Sequence, residues 1–541
     1  MALISFLVVS HLFAQAQVVA LPDLTVEQWR QDLQTYASEM PKRHKNLFHS
    51  VSEKDWRDAI ARLDARIPQL KRHEIIVELA RISAMVRDSH TGIGTFRQPA
   101  IDFHRIPVDM RLFTDGLFIV ATDSEHRDLL GAKVLKTGTA DVNPELDSVA
   151  LLISQDPGND MRVRDIGPIM LGMPEVMHAF RFIPSLEGIA LTVEKNGRRA
   201  TTLVKPVTRT EYNRIPWERW QSSIPVALTG IDRKFWYRYL PADRTIYVQI
   251  NEMDNDTTEY LAATFKRAVA MSDSVPVDRF AIDLRYNSGG SGNAIKPMVL
   301  SLIKSPKLDQ HGKLFVLIGR VTASAAQNFV NELERFTNSV LIGEPTAQNP
   351  SFYSDGNIIT LPNSGIQSFV AVIWSQPADS RDNRPYAAPD VIAEWSSADF
   401  RDGRDPGMAA VKAYAGTEKL PLRIVSIARR LGTKAAGDSL TAQGATGLDK
   451  YRNLSRDMIR FSFDELWPDG RSDDAMLLLE SNVSSHPGDW NSHDALAGAY
   501  ENKARYQEAL AEYEKALTLN PSHRGVQEGI RRVREHLNGS T

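Results

Sequence analysis

Hydrophobic and polar positions follow a helical period near the N-terminus and strand-like periods after it. Between Leu24 and Val86, apolar residues recur every three to four positions in VEQWRQDLQTYASEM, SEKDWRDAIARLDARI and RHEIIVELARISAMV. This spacing predicts amphipathic helices. From 101 to 210, short β-branched runs such as GLFIVAT and IALTVEKNGRRATTLV are separated by Gly, Asn and Asp turns. That pattern predicts a small β-rich domain.

From residue 245 onward, strand-like and helix-like segments alternate. TIYVQINEM, RFAIDL, KLFVLIG and SVLIGE read as strands, and a single helical pattern lies between each strand and the next. Such alternation predicts right-handed crossovers and a largely parallel sheet. Sites in these sheets lie at the carboxyl ends of the strands. Ser324 and the NSGGSG that follows Asp283 are both expected at such ends.

The C-terminal segment has an internal period of 34 residues, which resembles tetratricopeptide repeats. Two repeats, about 456 to 489 and 490 to 523, would precede a capping helix, GVQEGIRRVREHL. The Ala- and Gly-rich stretch 432 to 447 is expected to be a linker. At this period Ala475, Leu479 and Pro487 align with Ala509, Tyr513 and Pro521.

Composition narrows the chemistry. The 541 residues are 42% hydrophobic and 24% charged, with a formal charge of -3, which is ordinary for a soluble multidomain protein. The absence of a basic excess argues against nucleic acid or an anionic membrane as a partner. Because the chain has no cysteine, disulfides, thiolate metal sites and cysteine nucleophiles are excluded. Any catalytic chemistry must use oxygen or nitrogen.

The N-terminal MALISFLVVSHLFAQAQ predicts a cleaved signal peptide over 1–17. It has a short apolar run followed by Ala14-Gln15-Ala16, which matches a cleavage site, although no Lys or Arg precedes the run. A short membrane anchor or a buried helix is the alternative. No other stretch is long and apolar enough to span a bilayer. We therefore expect a periplasmic or extracellular protein with no membrane span after signal removal.

Ser324, in RVTASAAQNFV, lies where a predicted strand gives way to a predicted helix. A serine at this junction either caps the helix with its side-chain oxygen or acts as a nucleophile exposed by a strand-to-helix turn. The segment alone leaves both interpretations open.

Four separated motifs carry a family resemblance when they are taken together. They are VRDSHTGIG (86–94), IDLRYNSGGSGN (282–293), GRVTASAAQNF (319–329) and IGEPTAQNPSFYSDG (342–356). In this order they resemble the carboxyl-terminal processing peptidases, a family that includes tail-specific and tricorn core proteases. The resemblance covers about 25 to 400 and implies an α/β multidomain fold. Its expected parts are an N-terminal helical module (24–97), a PDZ-like β domain (105–210), a crotonase-like ββα-superhelix core (232–415) and, after it, the α-helical tetratricopeptide tail (450–540).

The resemblance also implies site residues, with Ser324 as the nucleophile. Many relatives use a lysine base 25 residues after the serine, but this chain has Asn349 there. The tricorn branch uses histidine instead, which falls on His90, and Ser89 resembles the serine that links that histidine to an acid. An imidazole can accept the serine proton and return it to the leaving amine.

The resemblance also places the acid that orients the imidazole about six or seven residues before the Pro389-Asp390 pair. This spacing points to Asp382 first and Asp379 second. Asp283 and Arg285 are expected to make structural polar contacts.

An oxyanion hole is expected beside the nucleophile. Its donors would be the amide of Ala325, at a helix N-terminus, and that of Gly289 or Gly290, where only glycine lets the backbone approach closely.

No H-E-x-x-H, Walker loop or dinucleotide fingerprint occurs in a meaningful context, so no metal or cofactor is expected. The family resemblance, together with the predicted signal peptide, implies a serine endopeptidase that acts on exported proteins or peptides, with a possible protein partner for the repeat tail. The alternative is a non-catalytic protein that binds peptides or apolar ligands on the same fold, because the family lysine is missing.

Overall fold

The computed structural model describes residues 23–94, 98–377, 380 and 382–539. The predicted signal peptide therefore lies outside the described residues. The chain is a mixed α/β protein in two compact units. The first comprises Met1–Pro389 with Ala393–Ala413, and the second comprises Asp390–Ile392 with Tyr414–Thr541.

The described part of the first unit begins with three helices, which confirms the helical period of the sequence. Thr25 and Ser52 accept amide hydrogen bonds at the starts of the first two helices, and such caps satisfy otherwise orphan donors. Trp56 and Met40 are fully buried between the helices. The helices are α1 (Val26–Arg43), α2 (Glu53–Arg66) and α3 (Arg72–Ala84).

A mostly antiparallel sheet follows, in the order β1-β2-β3-β5-β6, with β4 on β3 and β7 on β2. Its buried face shares one hydrophobic core with the N-terminal helices. Helices α4 to α6 were not predicted, because their Gly, Pro and Asn residues resemble turns in the sequence. The elements are β1 (Val108–Phe113), β2 (Gly116–Thr122), β3 (Lys133–Thr137), β4 (Ala140–Asp141), α4 (Val142–Ala150), α5 (Met161–Met170), α6 (Pro174–Ala179), β5 (Ile189–Lys195), β6 (Arg198–Val204), α7 (Arg209–Tyr212) and β7 (Glu218–Arg219).

A second sheet, with the order β12-β11-β10-β9-β8, carries the motif loops. Strands β9 to β12 are parallel and, apart from Arg279 at the start of β10, buried, and β8 is antiparallel to β9. The predicted alternation of strands and helices is thus confirmed. The elements are β8 (Phe235–Leu240), β9 (Thr245–Ile250), α8 (Leu261–Met271), β10 (Arg279–Asp283), α9 (Ile295–Ile303), β11 (Leu314–Ile318), α10 (Ala325–Phe336) and β12 (Val340–Gly343).

An antiparallel hairpin, β13 (Phe352–Thr360) and β14 (Gln367–Ser375), extends from this region. Its turn is held by Asp32 of α1, which accepts the amides of Asn363 and Ser364 at 2.8 and 2.9 Å. Two short helices complete the unit, α11 (Ser397–Arg401) and α12 (Pro406–Ala413).

The second unit is helical apart from one two-residue strand. The stretch 432 to 447, expected to be a linker, instead forms a helix whose Ala436 and Leu440 are fully buried. Among the described residues, no helix has both the length and the apolar character needed to cross a bilayer. The elements are β15 (Val391–Ile392), α13 (Leu420–Leu431), α14 (Thr433–Gly444), α15 (Leu454–Phe461), α16 (Ser472–Ser485), α17 (Trp490–Asn502), α18 (Tyr506–Leu519) and α19 (Arg524–Gly539).

Candidate active site

Ser324 lies in a strained turn between β11 and α10. Its φ of 56° and ψ of -125° place it in a backbone region that non-glycine residues rarely adopt. Its side chain makes no capping hydrogen bond to α10, so the interpretation of Ser324 as a helix cap is wrong. The backbone amide of Ser324 donates to Oε1 of Gln348. The turn thus leaves the hydroxyl available for another partner.

The loop before Ser324 is fastened to the loop after β10. Oγ1 of Thr322 donates to the carbonyl of Leu284 at 2.8 Å and accepts the amide of Gly319 at 3.0 Å. The amide of Ala323 donates to the carbonyl of Asn287 at 3.1 Å. These bonds fix the position of the serine against the neighbouring strand, and fixed surroundings allow a strained residue to persist.

His90 contacts the serine hydroxyl. Its Nε2 lies 3.2 Å from Oγ of Ser324, although 234 positions separate the two residues in the sequence. The imidazole packs nearly parallel to the ring of Phe352, with centroids 5.7 Å apart. Oδ1 of Asp88 accepts the amide of His90 at 2.9 Å, and Oδ2 of Asp88 lies 2.7 Å from Nε2 of His44. These contacts hold the histidine segment in place behind the serine.

The other imidazole nitrogen, Nδ1, faces two polar side chains. Oγ of Ser89 is 3.4 Å away, and Nε2 of Gln348 is 3.1 Å away. Nε2 of Gln348 also donates to Oγ of Ser89 at 2.6 Å. The fully buried Gln348 therefore links the serine amide, the imidazole and Ser89. The family spacing does not identify Gln348, because 25 residues after the serine lies its neighbour, Asn349.

Asp156 is a second residue that the sequence analysis missed. Its Oδ1 accepts the amide of Ser89 at 2.9 Å, and its Oδ2 accepts the amide of Asn349 at 3.0 Å. The carboxyl thus joins the histidine segment to the Gln348 loop. Burial raises the pKa of Asp156 to about 6. Nothing in its local sequence, SQDPGND, distinguishes it from a turn aspartate.

The imidazole of His90 is kept neutral by its surroundings. Burial is the largest cause, and with the positive charge of Arg162 it lowers the pKa of His90 to about 4. Asp88, Asp355 and the backbone carbonyl of Tyr353 act in the opposite direction. At neutral pH the ring therefore has an unprotonated nitrogen, as a general base requires.

The structure does not bring Asp382 to the imidazole. Nε2 of His90 meets Ser324, and Nδ1 meets Ser89 and Gln348. The carboxylate of Asp382 accepts hydrogen bonds from Nε and Nη2 of Arg384 at 3.0 and 2.9 Å.

Arg384 in turn binds Glu334 of α10 at 3.1 Å, so Asp382 belongs to an ion-pair network. The second candidate for the triad acid, Asp379, lies outside the described residues.

The glycines after β10 lie against the nucleophile. At Gly289 φ is 119°, and a Cβ built there would lie 2.5 Å from Cβ of Ser324, so any side chain would collide. The amide of Gly289 donates to Oδ1 of Asn287 at 2.9 Å. Gly290 has a φ of 131°. Ala325 is the first residue of α10, and amides in a first helical turn have no partner within the helix.

Two clusters contain ligand types suited to a metal, with ligand atoms within 4.8 Å of one another. In the first, the amide of Asn46 donates to Nδ1 of His44 at 2.9 Å, which leaves the proton of this ring on the nitrogen that faces Asp88. In the second, Arg181 is 2.8 Å from Glu74 and supplies the positive charge itself. The second cluster is thus satisfied by the protein. In the first, Nε2 of His49 is buried and has no hydrogen-bond partner among the described residues. The two clusters are His44, His49 and Asp88, and His73, Glu74 and His178.

Comparison with known proteins adds evidence for the fold. No protein-family profile matches the chain, and no curated protein does. Among solved structures, a serine-to-alanine variant of CPAF is similar with a TM-score of 0.52 and 11% identity, over 73% of this chain and 99% of that one. This chain therefore shares the fold of CPAF.

Two further structures give lower scores. Mature CPAF complexed with lactacystin has a TM-score of 0.48 at 12% identity, over 70% of this chain and 95% of that chain. The photosystem II D1 C-terminal processing protease has a TM-score of 0.33 at 14% identity, over 76% of this chain and 99% of that chain.

Proposed function

We propose that the protein is a serine endopeptidase of the carboxyl-terminal processing type, with Ser324 as nucleophile and His90 as general base. The observation that carries this proposal is the 3.2 Å approach of Nε2 of His90 to Oγ of Ser324 in a strained strand-to-helix turn. A serine hydroxyl becomes a useful nucleophile only when a neighbouring base takes its proton. Similarity to CPAF supports the fold on which this site lies.

In the proposed mechanism, His90 removes the proton of Ser324 as Oγ attacks the substrate carbonyl. The imidazolium then returns the proton to the leaving amine, and water completes hydrolysis of the acyl-enzyme. We assign the oxyanion donors to the amides of Ala325 and Gly290. The amide of Gly289 already donates to Asn287, so the contribution of Gly289 is to allow close approach.

His90 can act as the base only in the tautomer whose Nε2, the nitrogen that faces Ser324, carries no proton. Oε1 of Gln348 accepts the Ser324 amide, so its NH₂ group faces Nδ1 of His90. A donor at Nδ1 favours the tautomer with the proton on Nε2, which faces the serine. The productive tautomer needs an acceptor for Nδ1–H, and Oγ of Ser89 is in place for this. We infer that Oγ of Ser89 accepts a hydrogen bond from Nδ1–H of His90 during catalysis.

The negative charge that supports the imidazolium is assigned to Asp88 and Asp156. Asp88 binds the His90 amide, and Asp156 binds the Ser89 amide. This assignment replaces Asp382, whose carboxylate is bound by Arg384. Neither carboxylate hydrogen-bonds the imidazole directly, so both are positioning residues.

The finer architecture belongs to the same proposal. The sheet over 105–210 would be a PDZ-like domain, and residues 232–415 a crotonase-like core. The paired helices α16 to α19 would be tetratricopeptide repeats, whose stacked alanines suit a partner-binding array. Because α13 and α14 share a buried cluster with α15 and α16, the helical tail would begin near Tyr414 rather than at 450. The protein would act in the periplasm or outside the cell on protein or peptide substrates, without nucleic acid or a cofactor.

Labelling with a fluorophosphonate probe tests the proposal. The probe reacts with an activated serine, so the full chain should be labelled once, and Ser324→Ala should abolish the labelling. Ser301→Ala is a matched control. Ser301 lies on the neighbouring helix α9, and its hydroxyl donates a hydrogen bond to the carbonyl of Pro297, so its partner is a backbone carbonyl and not a base that could activate it. A folded wild type that is not labelled between pH 5 and pH 9 would favour the alternative, a non-catalytic binding protein.

A further inference from the structure

A cavity of about 480 Å³ lies apart from the serine, between the antiparallel sheet and the loops after β10 and β11. This volume is in the range of small-molecule sites. Its wall is formed by residues of β1, α5 and α7 on one side and by Arg285, Arg320 and Trp395 on the other. Neither Ser324 nor His90 lines it.

The wall carries an unusual positive charge. Seven arginines line the cavity against three acidic residues. Three of these arginines are neutralised within the protein, because Arg285 pairs with Asp283 and Asp405, Arg320 with Glu344, and Arg164 with Glu394. In the part of the chain that the structure describes, no carboxylate lies within ion-pair distance of the other four, which are Arg105, Arg111, Arg209 and Arg219.

One of these four guanidinium groups has an unused donor. Nη1 of Arg209 is buried without a hydrogen-bond partner among the described residues. A buried donor without a partner is costly, and a guanidinium presents several N–H groups that suit an oxyanion. The only acidic residue of β1, Asp109, lies near Arg105, Arg219 and Arg111 without forming a close pair. The cavity therefore has charge and donors left over for a ligand.

The remaining wall is apolar and aromatic. The guanidinium of Arg105 lies 3.9 Å from the ring centroid of Tyr212. That of Arg111 lies 5.9 Å from the centroid of Trp395 and 5.5 Å from that of Phe400. A guanidinium group that contacts an aromatic ring can still donate its N–H groups to an oxyanion. A ligand that fits this wall needs an anionic head and an apolar body.

We propose that this cavity is a binding site for a small organic oxyanion, a carboxylate or phosphate carried on an apolar group. The anionic head would bind the guanidinium groups of Arg209, Arg111 and Arg219, and the apolar body would pack against Trp395 and Phe400. This proposal is independent of the peptidase assignment, because none of these residues belongs to the proposed catalytic set.

Calorimetric titration of the full chain with four probes tests the proposal. Phenylacetate and phenyl phosphate carry both features, benzyl alcohol lacks the charge, and inorganic phosphate lacks the apolar body. At least one of the first two should bind about tenfold or more tightly than both of the others, and the tighter of the two identifies the head group. If neither phenylacetate nor phenyl phosphate binds more tightly than benzyl alcohol, or if no oxyanion binds at millimolar concentration, the proposal is overturned.

Variants then locate the binding. Arg209→Gln should weaken it about tenfold, because a charged hydrogen bond is lost. Asp109→Asn should strengthen it several-fold by removing the negative charge from the wall, and this gain cannot result from misfolding. The matched control is Arg199→Gln, which makes the same charge change at a side chain that is 72% exposed on the β5–β6 hairpin. Loss of affinity in the control equal to that of Arg209→Gln, or no gain in Asp109→Asn, would place the binding elsewhere.

Discussion

Two polar side chains, Arg285 after β10 and Ser324 after β11, lie at the same edge of the parallel sheet but differ in how fully they are hydrogen-bonded. After β10, the guanidinium of Arg285 binds Asp283 at 2.6 Å and Asp405 at 2.8 Å, and Tyr247 donates to Asp283 at 2.6 Å. After β11, Ser324 is partly exposed in a strained turn and meets one imidazole at 3.2 Å. The loops after two adjacent strands thus carry, in one case, an ion-pair network with all its partners and, in the other, a serine hydroxyl with a single side-chain partner among the described residues.

The difference separates stability from chemistry. A buried network whose donors and acceptors are all matched resists change, and removal of one partner leaves an uncompensated charge. A hydroxyl that is held by its backbone, with a neutral base beside it, costs the fold little to remove. We therefore expect substitution of Arg285 to affect unfolding and substitution of Ser324 to affect turnover.

The largest expected effect is on turnover. His90→Ala and Ser324→Ala should each lower kcat/KM on an unstructured peptide by roughly 10³-fold or more, and the double variant should be no worse, because the two residues act as a unit. Unfolding by urea should change by no more than about 1 kcal/mol in either variant. Near-normal turnover in His90→Ala, with Ser324→Ala inactive, would show that another group is the base.

At Arg285 we expect the reverse, a large loss of stability. Arg285→Met should lower the free energy of unfolding by about 3 to 5 kcal/mol, because Asp283 and Asp405 are left buried without their cation. Urea unfolding followed by tryptophan fluorescence measures this loss. Arg127→Met, which breaks an exposed pair with Glu218, is the control and should unfold almost as the wild type does. A mild effect at Arg285 would show that water or rearrangement replaces the ion pair.

These two regions also mark how far the sequence predicts the structure. The alternation after residue 245 gave the parallel sheet, because buried strands are short apolar runs and the helices between them are amphipathic. The order of the motifs predicts that His90 and Ser324 belong to one site, and their side chains are in contact in the structure.

Gln348 and Asp156 could not be predicted, because their roles depend on loop geometry. Both residues accept hydrogen bonds from backbone amides of other segments. Hydrogen bonds between distant loops leave no hydrophobic pattern in the sequence. The family spacing before Pro389 points to Asp382, yet Arg384, two residues later, binds its carboxylate. The helix at 433–444 was missed because Ala and Gly have little hydrophobic contrast, although Ala436 is fully buried.

A smaller effect on turnover is expected at Gln348. Gln348→Met should lower kcat by roughly 10- to 100-fold, since the Ser324 amide loses its acceptor and Ser89 loses a donor. Gln348→Glu keeps the acceptor and offers Nδ1 of His90 a carboxylate, so it should retain more activity than the methionine variant. Asn349→Ala is the adjacent control and should be close to wild type. Equal loss in the Glu and Met variants would contradict the tautomer argument.

The smallest expected effect is the pH dependence of the unfolding free energy that is due to His90 alone. The pKa of this imidazole is lowered to about 4 in the folded protein, against about 6.5 when unfolded. The unfolded chain therefore binds a proton first as the pH falls. Stability contributed by neutral His90 is complete above pH 6.5 and is lost towards pH 4.

Comparison of the wild type with His90→Gln measures this contribution, because Asp156, whose pKa of about 6 gives the opposite trend, is present in both proteins. The difference in unfolding free energy should fall by about 2 kcal/mol between pH 7 and pH 5. The same neutral base should place the acid limb of kcat/KM attributable to His90 below pH 5, rather than at an imidazole's usual 6 to 7.5. An acid limb near pH 6 that disappears in Asp156→Asn would belong to Asp156. One near pH 7 that persists in that variant would mean that the ring of His90 is far better solvated than its contacts with Phe352 and Gln348 indicate.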